Sequence, residues 1–206
     1  MRATWRENQF YFIIQLLVLA LGGLVLMFYH QGRETLWMSE HHAPMLDYFF
    51  VAVTRLAEWQ GIVAGAILLL WNKNRHGIVV YAAALSLNGV LTAFLKLYCF
   101  PDAVRPSRFF PESVTLNFVP GLEILRQHSF PSGHTSTAFA MAVALGLHYT
   151  KGWQQTILLL LAGLVALSRV YLLQHFYRDV YAGAILGTAV ALGCFLLVKN
   201  RWAHRL

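Results

Sequence analysis

Six apolar runs, at residues 10–29, 47–71, 77–97, 132–148, 156–173 and 179–197, dominate this 206-residue chain and leave little outside them. A helix that crosses a bilayer needs about 20 predominantly apolar residues, and each run has close to that length. Charged residues are 12% of the chain and apolar residues 58%, against about 25% and 45–50% in soluble domains. The expected fold is therefore all-α: a polytopic membrane protein with six transmembrane helices, forming one membrane-embedded domain over residues 1–206. The first run follows Arg2 and Arg6, as a signal peptide would. Its apolar core is longer than an h-region and no small-x-small site follows it, so it reads as an anchor that is kept.

The net charge of +7 raises the question of nucleic acid or anionic lipid as a partner. Its placement answers it. With a cytoplasmic N-terminus, Arg2, Arg6, Lys73, Arg75, Lys151, Lys199, Arg201 and Arg205 fall on the inner side, eight residues in 30 of linking and terminal sequence. The outer side holds Arg33, Arg105, Arg108, Arg126 and Arg178 across 56 residues. That asymmetry puts both termini in the cytoplasm, and no basic run resembles a nucleic-acid stripe. Trp5, Trp37, Trp71, Trp153 and Trp202 lie at or beyond run ends, where interfacial aromatics belong. Cys99 and Cys194 fall at opposite ends of the layout, so no disulfide is expected.

The inner connections are short and the outer ones long, the last excepted. Residues 98–131 contain five prolines, and 121–128, "GLEILRQH", reads as either a short interfacial helix or an ordinary loop. Phe109, Phe110, Phe118, Leu122 and Leu125 could there dip into lipid or cover a site. Arg55 and Glu58, three apart in the second run, are expected to pair with each other as packing glue. The GxxxG spacings at Gly61/Gly65 and Gly183/Gly187 fit close packing within one chain better than a dimer face; the oligomeric state stays open. His41 and His42 read as solvated, and His30, His76, His128, His148 and His204 as isolated surface or interfacial residues.

Against this background, polar residues recur at one level. Lys96 ends the third run, Arg105 follows in the outer loop, and "PSGH" (131–134) opens the fourth. Arg169 closes the fifth run, and His175 and Asp179 open the sixth. Charges inside a membrane are costly, and histidines and aspartates snorkel poorly. Pro131 suits the start of a helix; Ser132, Gly133 and His134 would then occupy a first turn whose free N–H groups attract an anion. Lys96, Arg105 and Arg169 add positive charge suited to phosphate oxygens. His175 and Asp179 are four apart, so they share a helix face; a carboxylate on one imidazole nitrogen frees the other to attack. His134, from another helix, would protonate the departing oxygen. Only nine acidic residues occur, with no D-x-D or H-x-E cluster, so neither a metal nor another cofactor is expected.

Lys96 with Arg105-Pro106, the run "PSGH", and "SRVYLLQHFYRD" (168–179) resemble the three signature blocks of the type 2 phosphatidic acid phosphatase superfamily, most strongly over residues 45–197. Lys96 and Arg105 stand farther apart than the family's commonest spacing. The resemblance implies His175 as nucleophile, Asp179 as its orienter and His134 as general acid. It also implies Lys96, Arg105, Ser132, Gly133 and Arg169 as phosphate ligands. It implies a metal-independent phosphatase, working through a phospho-histidine on a lipid phosphate or pyrophosphate at the extracytoplasmic face of a bacterial inner membrane. Candidate substrates include undecaprenyl pyrophosphate, phosphatidylglycerol phosphate, phosphatidate and lipid A phosphates. Two other readings compete: a lipid-to-lipid phosphotransferase using the same residues, and a non-enzymatic transporter or anion-binding membrane protein. The partners expected are the lipid substrate and membrane lipids. Arg178, outside the motif, reads as a solvated turn residue.

Overall fold

The computed structural model describes residues 8–148 and 152–203, and side chains only to residue 199 in the last helix. Arg2, Trp5, Arg6, Lys151, His204 and Arg205, and the side chains of Arg201 and Trp202, lie outside the described residues. All regular elements described are helical, with no strand among them. Helix α1 (Gln9–Met27) is 19 residues without a proline or a charge. A short α2 (Arg33–Glu40) follows a left-handed Gly32 at φ 97°, a conformation glycine adopts without a Cβ clash.

The second apolar run is not one straight helix. Helix α3 (Pro44–Thr54) has Pro44 in its first turn and ends in a 3₁₀ turn, Arg55–Ala57. Helix α4 (Trp59–Trp71) then leaves at 54°. Gly61 permits the bend, since a Cβ there would stand 1.9 Å from the Leu56 carbonyl oxygen. Helix α5 (Arg75–Phe94) is capped by Asn74, whose Oδ1 accepts the Gly77 N–H at 2.8 Å, and runs on into a π turn, Leu95–Cys99. After α6 (Pro106–Phe109) and an irregular segment come α7 (Gly133–Gly146), α8 (Gly152–Tyr171) and α9 (Tyr177–Ala203).

Helix α7 forms the centre, and α5, α8 and α9 pack around it. Every residue from Ala138 to Gly146 is buried. Its 14 residues rise about 21 Å, less than a hydrocarbon core of about 30 Å. The fourth apolar run is therefore apolar chiefly because protein surrounds it. Among the described residues four helices are long and apolar enough to cross a membrane; the bent α3–α4 pair passes the same test only when its two halves are counted together.

Both GxxxG pairs serve packing inside the chain. A Cβ on Gly187 would lie 2.0 Å from the Ser136 carbonyl oxygen, and one on Gly183 2.6 Å from that of Ser132. Gly65 faces the Tyr81 hydroxyl, where a Cβ would stand 2.4 Å away. Small residues on both surfaces let α9 lie backbone to backbone against α7, which fixes the height of the α9 N-terminus against the α7 N-terminus.

Several histidines are less isolated than the sequence suggests. His76 and His148 meet, Nδ1 to Nε2, at 3.1 Å, with Phe195 edge-on to both rings. They mark the end of the bundle that also carries Lys73 and Arg75. His42 is not solvated: it stacks on Tyr171 at 4.7 Å and its Nδ1 lies 3.3 Å from Asp47. His41 is exposed and stacks on Trp37. Trp37, Trp71 and Trp153 are all exposed, as anchoring requires.

Candidate active site

The end of the bundle opposite Lys73 is closed by interlocked segments. Glu34 of α2 accepts hydrogen bonds from the Gly32 and Tyr177 N–H groups at 2.9 Å and from the Tyr29 hydroxyl at 2.7 Å, tying α2 to the start of α9. Asn117 donates to Ser39, and Tyr171 donates to Asp47 at 2.6 Å. Residues 121–128 form no helix. Their carbonyls are committed elsewhere: Arg126 O accepts the Arg105 N–H, Gln127 O the Arg105 Nε–H, and Leu125 O the Ser107 hydroxyl. The outer loop does cover the site, with Phe109 edge-on to Phe176 at 5.0 Å. Val119 and Leu122 pack with Phe50, Tyr171 and Leu172.

Helix α8 stops at Tyr171 and the chain doubles back through Leu173, at φ 54°. The Gln174 and His175 N–H groups both donate to the Arg169 carbonyl, at 3.0 and 3.1 Å. Asp179 then sits in the first turn of α9 and accepts the Phe176 N–H at 3.1 Å, the return half of a capping box. The same Oδ2 accepts the Ser129 hydroxyl at 2.5 Å and lies 3.5 Å from His175 Nδ1. Asp179 is fully buried and His175 only 2% exposed. Arg178 is not a free turn residue: its Nε lies 3.4 Å from Asp179 Oδ1 and its guanidinium 5.8 Å from the Phe176 ring centre.

On the far side of the imidazole, Arg105 Nη1 lies 3.5 Å from His175 Nε2 and also donates to the Gln174 carbonyl at 3.0 Å and its Oε1 at 3.2 Å. A guanidinium beside Nε2 requires that nitrogen to be the acceptor, leaving the proton on Nδ1 toward Asp179. Burial, reinforced by Arg105 and Arg169, holds the His175 imidazole below its ordinary pKa against the opposing pull of Asp179. The ring is therefore neutral at neutral pH, with a lone pair on Nε2.

Arg169 is 7% exposed. One Nη donates to Thr54 Oγ1 at 2.8 Å, and its buried Nε has no acceptor among the described residues. A buried donor without an acceptor is costly, and it is the kind of group an anion would satisfy.

At the start of α7 the local geometry differs from the sequence reading. Pro131 lies before the helix, and Ser132 is the N-cap. The Ser132 N–H donates to the Asp179 carbonyl at 2.9 Å, and its Oγ accepts the Thr135 N–H and hydroxyl. Only the first-turn amides beyond it, Gly133 first, are left to face an anion. Ser132 is a strut joining α7 to α9. Gly133 and His134 line a cavity of about 360 Å³ with Lys96, Thr92, Asn88 and Glu58. The π turn and the loop absorb the long Lys96–Arg105 spacing, and Lys96 Nζ donates to the His128 carbonyl at 2.5 Å. The His128 ring is half-buried, with Nδ1 3.3 Å from the Lys96 carbonyl, so it is not isolated.

The eight residues singled out thus divide. Lys96, Gly133 and His134 line the cavity; Arg105, Ser132, Arg169, His175 and Asp179 are buried and do not line it. Ser132, next to Gly133, joins the two groups through its N–H bond to the Asp179 carbonyl at 2.9 Å. Four further members escaped sequence reasoning: Ser129, Thr54, Gln174 and Glu58. Glu58 does not pair with Arg55. Its Oε1 lies 3.3 Å from His134 Nε2, because the break before α4 turns residue 58 inward while Arg55 stays exposed. Its presence in an apolar run was the available signal. Nothing in the sequence distinguishes Ser129, Thr54 or Gln174. Among the described residues no group of three or more His, Cys, Asp or Glu side chains is placed to hold a metal.

The chain has relatives. The lipid A 4'-phosphatase of Bacteroides thetaiotaomicron is 30% identical over 161 residues, covering 74% of this chain and 69% of its own. The undecaprenyl-diphosphatase BcrC of Bacillus subtilis is 29% identical, covering 73% and 74%. The crystal structure of Aquifex aeolicus LpxE superposes with a TM-score of 0.67 at 28% identity, over 78% of this chain and 91% of that one. A transmembrane PAP2-type phosphatidylglycerolphosphate phosphatase from Bacillus subtilis shares the fold along 98% of both chains, with a TM-score of 0.63 at 22% identity. These likenesses and the apolar helices make this a multi-pass membrane protein. Its residues 77–203 match the family model described as the PAP2 superfamily, and the chain belongs to that superfamily.

Proposed function

We propose that this protein is a metal-independent phosphatase that removes phosphate from a lipid phosphate or pyrophosphate through a phospho-histidine. The observation that carries this reading is His175 itself: buried, neutral, Nδ1 toward Asp179 and Nε2 beside Arg105. In the first step the Nε2 lone pair attacks phosphorus. An N–P bond forms as the P–O bond to the lipid breaks, and the leaving oxygen takes a proton from His134. In the second, water attacks the phospho-histidine, His134 recovers a proton, and the N–P electrons return to Nε2. Lys96, Arg105, Arg169 and the Gly133 amide hold the phosphoryl oxygens, and phosphate supplies the acceptor that Arg169 Nε lacks. Ser132 acts by holding α7 to α9. Such preorganised charge commonly supplies several kcal/mol of barrier lowering, about 3–4 for one donor.

The site works at the extracytoplasmic face of a bacterial inner membrane, in a single membrane-embedded domain with both termini cytoplasmic. Supporting this, the cluster lies at the end of the bundle opposite Lys73 and Arg75, the basic residues of the first inner connection. Membrane burial and named relatives both favour a lipid substrate. The deciding experiment is phosphate release from purified lipid monophosphates and diphosphates in detergent micelles, wild type beside His175→Ala. Release by the wild type alone supports the reading. Transfer of labelled phosphate to a second lipid without free phosphate refutes hydrolysis.

Two further outcomes are expected. Vanadate, which adopts a five-coordinate geometry, should inhibit at millimolar concentration or below; full activity in its presence would contradict a phosphoryl pocket. Activity should also survive exhaustive chelation, since histidine and guanidinium groups do the work assigned to metals elsewhere. Loss in EDTA with recovery on adding a divalent ion would overturn the metal-free mechanism.

A further inference from the structure

We infer that Glu58 is a positioning residue for His134, and that the pair is built to deliver a proton to an alkoxide leaving group, the product of a phosphate monoester of an alcohol. This inference rests on the phospho-histidine reading above. The Glu58 carboxylate lies 3.3 Å from His134 Nε2, and both side chains are about one-third exposed, facing the same cavity as Lys96 and Gly133.

The backbone is arranged for this contact. Glu58 stands in extended conformation between the 3₁₀ turn and α4. The Glu58 N–H donates to the Arg55 carbonyl at 3.1 Å, and Gly61 leaves room for the tight turn. A straight helix through 47–71 would not place residue 58 in this way. The 54° bend brings a carboxylate to a histidine 76 residues away.

The chemistry mirrors the other histidine. Asp179 faces Nδ1 of His175 and leaves Nε2 to react; Glu58 faces Nε2 of His134 and leaves Nδ1 to carry the transferable proton. With Glu58 accepting from Nε2–H and the negative charge of the bound phosphate favouring the protonated ring, the imidazolium gives its Nδ1 proton to the leaving oxygen. The ring is then left neutral, as the Nε2–H tautomer already bonded to the carboxylate. The same tautomer accepts a proton at Nδ1 from the attacking water in the second step. An alkoxide needs that proton far more than a nitrophenolate does, because it is the far stronger base.

The test compares two substrates with the same tail, dodecyl phosphate and a nitrophenyl phosphate bearing a dodecyl chain. First-turnover release of alcohol or phenol is measured for wild type, Glu58→Gln, Glu58→Asp and His175→Ala in detergent. Glu58→Gln should slow release from dodecyl phosphate by about tenfold or more, within the range of general-acid effects. Release from the nitrophenyl ester should change by no more than about threefold, as expected when the lost interaction belongs to leaving-group protonation. Glu58→Asp, which keeps the carboxylate, should recover part of the loss. Equal losses on both substrates would mark Glu58 as merely structural, and no loss on either would remove it from the site; each outcome overturns the inference. Turnover of either substrate by His175→Ala would instead sink the phospho-histidine reading.

Discussion

His175→Ala is expected to reduce phosphate release by at least about 10⁴-fold, as removal of a covalent nucleophile does in other enzymes. Electrostatics alone would leave some rate enhancement, because Arg105, Arg169 and Lys96 still hold phosphate. The chemistry, however, has no second buried neutral imidazole in the right place: His134 faces Glu58 in the cavity, whereas His175 sits between Asp179 and Arg105. Thermal unfolding should separate this loss from misfolding, since the variant removes a ring but keeps the Arg169 carbonyl bonds to the 174–175 backbone. A variant that stays folded and keeps more than about one-hundredth of the rate would exclude His175 as nucleophile.

The second large effect concerns the fold. Gly187→Ala should destabilise the protein by about 3 kcal/mol or more, at or beyond the usual cost of overpacking. The new methyl would meet the Ser136 carbonyl oxygen at 2.0 Å and the Ala140 nitrogen at 2.9 Å. Neither is a flexible side chain that can move away. Helices α7 and α9 would have to separate, breaking the Ser132 N–H bond to the Asp179 carbonyl and with it the alignment of the site. Gly193→Ala, on the same helix, meets nothing within 4 Å. It should be neutral, or stabilising by up to about 1 kcal/mol through helix propensity. Melting temperature and phosphate release for the two variants provide the comparison; equal tolerance of both would contradict the close α7–α9 packing.

The relation of the two carboxylates to their histidines shows what kind of information a sequence carries. Asp179 was legible beside His175 because the two are only four residues apart, although they share no helix face: His175 precedes the start of α9 at Tyr177, and Asp179 reaches back to it from the first turn. Glu58 was visible as a charge in an apolar run, but its partner was misjudged. A straight helix puts Arg55 three positions away on the same face, whereas the bend at Gly61 carries Glu58 across to α7. Ser129 and Thr54 are common residues whose importance arises only when a loop and a bent helix reach Asp179 and Arg169. The 121–128 segment was ambiguous for a related reason: its backbone carbonyls are claimed by Arg105 and Ser107, and propensity contains nothing about distant claimants.

What the amino-acid sequence alone determined was the helical, membrane-embedded character of the chain, the family resemblance and the identity of the histidines and cations grouped at one level. Apolar run length and short-range periodicity are local properties, and they are written residue by residue. Only the tertiary structure decided that α7 is the enclosed centre, that Ser132 is a strut, and that Glu58 serves His134. Hydropathy reports aversion to water and cannot distinguish lipid from protein as the surroundings. Contacts between residues 50–130 positions apart depend on a bend and on two helices meeting at their glycines.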